Sequence, residues 1–125
     1  MVLACRGIRG ATTSNENTKT AILEATQDLL INVINSNAIE SEDMAAIFFT
    51  TSPNLNADFP AVAARALGLT EVALLCGHEM AVPDGLENCI RVLILVNTEK
   101  KQVDLNHVYL RGAVNLRNRG ASPDT

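Results

Sequence analysis

The sequence has few aromatic residues and no tryptophan: phenylalanine and tyrosine together make up 3% of its 125 residues. Its hydrophobic residues, 47% of the total, must therefore build a core from aliphatic side chains. A chain of this length forms one domain and buries enough surface to need no disulfide or metal. The composition excludes a disordered chain, a collagen and a disulfide scaffold.

Cysteine and histidine are also scarce, which limits redox and metal chemistry. The three cysteines, Cys5, Cys76 and Cys89, have no C-x-x-C spacing, and this pattern indicates reduced thiols. The two histidines, His78 and His107, are far apart in the sequence, so we expect no metal site.

The chain lacks an excess of basic charge and lacks a long apolar run. Its formal net charge of −4 argues against nucleic acid binding. No apolar run approaches the roughly 20 residues of a membrane helix. The first five residues carry no export signal, so we expect a cytoplasmic protein. The mean hydropathy of +0.13 is high for a small monomer and predicts a buried subunit interface.

Apolar periodicity predicts two helices and five strands. A long helix is expected from Asn17 to about Asn35, and a short one from Pro60 to Gly68. The glycines of Gly7–Thr13 predict a turn or a close backbone approach, and Gly112 predicts a bulge. The predicted strands are Val2–Ile8, Met44–Thr51 (a central strand), Val72–Cys76, Ile90–Thr98 and His107–Leu116.

These elements define an α/β fold, close to α+β, with a mixed five-stranded sheet, one long helix and one short helix. The domain is expected to span residues 1–117, followed by a flexible tail over residues 118–125. One long helix cannot cover both faces of five strands. We therefore expect neighbouring subunits to cover the second face.

Arg91 is the most informative residue because it interrupts an apolar strand. An arginine there either makes an internal ion pair or points a cation at an anionic ligand, and Arg9 carries the same ambiguity. Glu79 follows the end of a strand, as site residues in α/β proteins do. Cys76 and Tyr109 fit either plain packing or a contact to a ligand.

Motifs for covalent chemistry are missing from the sequence. It contains no phosphate-binding glycine loop and no nucleophile elbow. The residues alone thus predict a site with several arginines, one carboxylate and hydroxyl or thiol donors. Such a site binds a small polyanion.

Five stretches stand out together along the chain: Arg6–Thr13, Phe59–Ala61 with Arg65, Cys76 with Glu79–Met80, Cys89–Val92 and His107–Leu110. In this order and spacing they resemble the monofunctional α/β class of chorismate mutases. The resemblance runs from about residue 3 to residue 117. It implies a homotrimer with a pseudo-α/β-barrel core, active sites between adjacent subunits, no cofactor, and the rearrangement of chorismate to prephenate on the route to phenylalanine and tyrosine.

The resemblance also implies roles for individual residues. Arg91 is expected to meet the ether oxygen and a carboxylate of the substrate, and Arg9 to bind a carboxylate. Glu79 is expected to accept from the ring hydroxyl, which Cys76 also contacts. The remaining expected substrate contacts are Tyr109, Phe59, Arg65, Leu116 and Arg117, the last two in a segment that folds over the cleft.

The sequence departs from the family at two positions. Val62 stands where a lysine is common, and Leu75 stands where a threonine is common. Both changes remove peripheral polar contacts and are expected to raise KM. Two other functions fit parts of the pattern: a trimeric imine deaminase with a water activated by Glu79, and a trimeric module that binds a carboxylate metabolite without converting it.

Overall fold

The computed structural model describes residues 2–116, so Arg117 and the predicted tail over residues 118–125 lie outside the described part. Two α-helices and five strands follow one another along the chain, with short 3-10 turns at Ser41–Asp43, Gln102–Asp104 and Arg111–Ala113. The elements are β1 Ala4–Thr13, α1 Lys19–Asn37, β2 Met44–Thr51, α2 Ala61–Ala66, β3 Ala73–His78, β4 Cys89–Thr98 and β5 Val108–Tyr109.

The five strands form one mixed sheet in the order β3-β2-β4-β1-β5. β4 pairs antiparallel with both β1 and β2, while β2 pairs parallel with β3 and β1 pairs parallel with β5. This confirms the predicted mixed five-stranded sheet with one long and one short helix. β2 coincides with the predicted run Met44–Thr51 and lies inside the sheet, between β3 and β4.

The helices cover one face of the sheet and leave the other exposed in the single chain. α1 and α2 pack on one face, here called the helix face, where Leu29, Val33 and Ala64 join buried strand residues such as Ile94 in one core cluster. Alternate strand residues point to the opposite side, here called the open face. Large apolar side chains lie exposed on the open face of the single chain: Phe48, Leu75 and Leu93.

A side-chain cap fixes the start of α1, and residues with left-handed backbone conformations follow the ends of both helices. The Thr18 hydroxyl accepts a hydrogen bond from the Ala21 amide at 3.2 Å and caps the start of α1. α1 ends at Asn37 and is followed by Ala38, whose backbone is in the left-handed region with φ of 51°. After α2, Gly68 takes a φ of +89°, which confirms the predicted glycine stop.

The predicted bounds of three strands are wrong. β3 continues to His78, two residues beyond the predicted end at Cys76. β1 continues through Gly7–Thr13, where a turn was an alternative. The close approach is confirmed at Gly10, because a Cβ there would lie 3.1 Å from side-chain atoms of Val33 and Val92. The predicted strand His107–Leu116 is correct only at Val108–Tyr109, because Arg111 takes a φ of 52° and starts a 3-10 turn. Gly112 therefore lies in this turn and not in a bulge.

Within residues 2–116, neither helix has the length and hydrophobicity to span a membrane.

Candidate active site

An ion pair between Glu79 and Arg91 lies at one edge of the open face. Arg91 Nη1 is 3.3 Å from Glu79 Oε2, and the two side chains are 47% and 31% exposed. A paired arginine on an apolar strand agrees with the sequence expectation that Arg91 needs an anionic partner. Because the pair stays accessible to solvent, both groups can also contact a ligand.

The position of Glu79 is fixed by its backbone and its side chain. Its amide donates to the Thr51 carbonyl at 2.8 Å and so extends the pairing between β2 and β3 beyond His78. Its Oε2 accepts a hydrogen bond from the Thr50 hydroxyl. Thr50 is paired with Arg91 across β2 and β4, so the three side chains form one cluster.

A cavity of about 420 Å³ opens beside this cluster. Glu79, Arg91 and Leu116 line it together with Cys89 and the apolar loop residue Met80. Leu116 and the ion pair therefore line the same cavity. Burial raises the pKa of the Cys89 thiol to about 11, so this group stays neutral near pH 7.

Arg9 and Tyr109 share the open face with Arg91. Ala11 is paired with Arg91 on one side and with Tyr109 on the other. Since paired residues point to the same side of a sheet, Tyr109 lies on the face that carries Arg91. Arg9 is two residues before Ala11 and so points the same way. Two cations and one phenol therefore share this face.

Cys76, Phe59 and Arg65 form a second group. A cavity of about 400 Å³ is lined by Phe59, Cys76 and His78. Phe59 is 68% exposed, and Arg65 is exposed on α2. Burial raises the pKa of the Cys76 thiol, whereas the amide of Ala61 and the charge of Arg65 oppose this rise. Cys76 is therefore a neutral thiol beside an exposed cation.

Within one chain, the sheet separates this second group from the Glu79–Arg91 ion pair. Cys76 is paired with the buried Phe49, and it packs against the core of the helix face. Arg91 is paired with Thr50, the next residue of β2, and so points to the open face. The structure does not bring Cys76 and Arg91 together in a single chain.

The two positions that depart from the family pattern lie on different sides of the sheet. Leu75 is 62% exposed on the open face, immediately before Cys76. Val62 is half-buried on α2. Neither substitution touches the Glu79–Arg91 ion pair.

Both histidines have partners within the fold. His78 Nδ1 is 3.0 Å from the Thr51 hydroxyl. His107 Nδ1 accepts a hydrogen bond from the Arg9 amide at 2.9 Å and thereby helps to hold β5 against β1. In the part of the chain that the structure describes, no three cysteine, histidine or acidic side chains form a group suited to a metal ion.

Sequence reasoning missed Thr50. A threonine in an apolar strand is ordinary, and its importance depends on register: it faces Arg91 across one strand pair and reaches Glu79 across the other. Only the three-dimensional pairing of β2 with both neighbours provides that signal.

Comparison with known proteins places this geometry in one family. The sequence model of "Chorismate mutase type I" matches residues 5–119. A chorismate mutase AroH from Thermus thermophilus is 49% identical over 90% of this chain and 93% of its own length. The Bacillus subtilis chorismate mutase AroH is 43% identical over 90% of this chain and 89% of its own.

A solved structure agrees with the sequence relatives. The chorismate mutase from Clostridium thermocellum superposes with a TM-score of 0.84 at 48% identity, covering 86% of this chain and 96% of that chain. These matches identify the chain as a small α/β isomerase. The chain belongs to the type I chorismate mutase family.

Proposed function

We propose that the cavity beside Glu79 and Arg91 is where this chorismate mutase converts chorismate to prephenate. One observation carries this assignment: a solvent-accessible guanidinium, Arg91, is held on an otherwise apolar strand by the carboxylate of Glu79. The arrangement presents a fixed cation and a fixed anion to a small ligand, with a second cation, Arg9, on the same face.

The rearrangement suits such a site because it needs no nucleophile, acid or base. One C–O bond breaks while one C–C bond forms within a single molecule. The enzyme accelerates the reaction by holding the flexible dicarboxylate in its compact reactive conformation. The breaking ether oxygen gains negative charge in the transition state, so a preorganised guanidinium stabilises that state more than the ground state.

The resemblance to the family supplies the role that we propose for each residue. Arg91 contacts the ether oxygen and one carboxylate, and Arg9 binds a carboxylate with help from Tyr109. Glu79 accepts a hydrogen bond from the ring hydroxyl. Leu116 shields the cleft from water, and Arg117, outside the described residues, follows it in sequence.

The complete site requires a second copy of the chain. Cys76, Phe59 and Arg65 lie on the far side of the sheet from Arg91, so they reach the substrate only from a neighbouring subunit. The exposed apolar open face, with Phe48 and Leu93, supports such contacts. A homotrimer around a pseudo-barrel core would cover the open face and supply the second copy. Each cleft then combines Glu79 and Arg91 of one subunit with Cys76, Phe59 and Arg65 of its neighbour.

The cytoplasm is the compartment we propose. Cys5, Cys76 and Cys89 are free thiols, a state that a reducing compartment preserves.

The test is the loss of chorismate absorbance with the purified protein and with Arg91→Ala. Removal of one such donor typically costs on the order of 10²–10³ in rate, so we expect turnover by the wild type and at least this loss in the variant. Arg6→Ala is the matched control, because Arg6 also lies on a strand but bonds the Lys100 carbonyl away from the cluster. An intact wild-type oligomer without turnover would redirect attention to imine hydrolysis or to carboxylate sensing.

A further inference from the structure

We infer that Thr50 is a positioning residue that sets the orientation of the Glu79 carboxylate relative to Arg91. The inference rests on the function proposed above for Glu79 and Arg91. Thr50 lies on β2, between the strand that leads to Glu79 and the strand that carries Arg91. It is half-buried, and its hydroxyl donates a hydrogen bond to the Glu79 carboxylate.

The geometry at Glu79 explains what the hydroxyl does. One oxygen, Oε2, accepts the Thr50 hydrogen bond and also faces the Arg91 guanidinium at 3.3 Å. Neither contact uses the second oxygen, Oε1. With Oε2 fixed in this way, Oε1 is the atom that remains to accept a hydrogen bond from the substrate hydroxyl.

Loss of the Thr50 hydroxyl changes the balance between Glu79 and Arg91. A carboxylate without this donor can rotate and engage the guanidinium with both oxygens, the geometry that arginine favours. That arrangement neutralises more of the charge that Arg91 offers to the ether oxygen, and it withdraws Oε1 from the substrate. Both effects weaken binding of the transition state, so kcat falls.

Register makes Thr50 the residue suited to this role. It is paired with Arg91 on one side and with Gly77, two residues before Glu79, on the other. The next residue, Thr51, points to the helix face and uses its hydroxyl for the Leu55 carbonyl.

The experiment compares Thr50→Val with Thr50→Ser in steady-state chorismate turnover. A hydrogen bond to a charged group is worth enough that we expect kcat to fall about tenfold or more in Thr50→Val, with a smaller change in KM. Thr50→Ser keeps the hydroxyl and should recover most of the wild-type kcat. Thr98→Val is the control, because Thr98 is also half-buried and its hydroxyl accepts a hydrogen bond from the Lys100 amide at 3.2 Å, away from Glu79 and Arg91.

A double-mutant cycle separates positioning from a general effect on packing. In a Glu79→Ala background, Thr50→Val should cost less than twofold, because the group it orients is gone. The same loss in both backgrounds, or wild-type kcat in Thr50→Val, would overturn the inference. If Thr50→Val does not fold, Thr50→Ala and Thr50→Ser provide the same comparison. Failure of the wild type to convert chorismate would instead refute the proposed function.

Discussion

Glu79 and Arg91 form an ion pair at 3.3 Å although β2 separates the strands that position them. The contact is possible because Glu79 lies just past the end of β3 and Thr50 of β2 fills the space between. The guanidinium is therefore held at one orientation by its partner. We therefore expect its function to depend on planar geometry as much as on charge.

Arg91→Lys is expected to lose on the order of 10²–10³ in kcat, although it keeps the positive charge. Lysine offers a single ammonium group in place of the planar fork that meets Glu79 and the substrate together. Steady-state turnover of chorismate measures the loss, and Arg6→Lys should retain wild-type rates. A kcat for Arg91→Lys near that of the wild type would remove Arg91 from the central role.

Hybrid oligomers test whether adjacent subunits share a site. Arg65→Ala and Arg91→Ala remove residues from opposite sides of the sheet, and each variant alone should be nearly inactive. In trimers co-expressed from both, about a quarter of the clefts combine two intact halves and should regain activity. Hybrids of Glu79→Ala with Arg91→Ala are the control. Both defects lie on one face, so no cleft is restored. Equal inactivity of the two hybrids would contradict a shared site.

Thr12→Val is expected to raise the free energy of unfolding by about 1 kcal/mol. Thr12 is fully buried, and within residues 2–116 its hydroxyl oxygen finds no hydrogen-bond partner. Thr26→Val is the matched control, because the equally buried Thr26 donates to the Ile22 carbonyl at 2.7 Å. Urea unfolding at one protein concentration measures both. An equal rise in the free energy of unfolding in both variants would show that the missing hydrogen bond of the Thr12 hydroxyl does not matter.

The two helix ends predict opposite effects from reciprocal substitutions. Ala38 and Gly68 both take left-handed backbone conformations, with φ of 51° and 89°. Ala38→Gly should stabilise the fold by about 1 kcal/mol, because glycine adopts this conformation without steric cost. Gly68→Ala should destabilise it by a similar amount, although a Cβ there meets no atom within 4 Å. Shifts of the same sign in thermal unfolding would contradict the backbone explanation.

The Cys89 thiol predicts a loss of stability at alkaline pH. Its pKa is about 11 in the folded chain against an ordinary value of 9.0, so the unfolded chain loses this proton first. The free energy of unfolding should therefore fall as the pH rises from 9 to 11, by about 2–3 kcal/mol in total. Cys89→Ala lacks this contribution, and the difference between the two unfolding curves isolates it. If the unfolding free energies of the wild type and Cys89→Ala change with pH in the same way, the pKa of Cys89 is not raised in the folded chain.

The strands could be predicted where a continuous apolar run ends in clear turn residues, as at Met44–Thr51. The prediction failed where backbone conformation overrides hydrophobicity, as at Arg111. The glycines of β1 suggested a turn or a close backbone approach, and the second alternative is correct at Gly10 because Val33 of α1 packs directly on the strand.

The candidate site also contains residues that the sequence predicts and residues that only the strand register reveals. Arg91 and Glu79 were predicted from residue type and context, and the structure brings them together. The separation of Cys76 from Arg91 could not be predicted, because it depends on strand register: a shift of one residue exchanges the faces of a strand. Thr50 was missed for the same reason.

We expect the apolar open face to make catalysis depend on protein concentration. If each cleft draws residues from two copies, a dissociated chain retains the Glu79–Arg91 pair but has no neighbour to supply Phe59 and Cys76. Activity per chain should then fall on dilution below the dissociation constant of the assembly. Added substrate should slow that loss, because a ligand held between subunits also holds the subunits together.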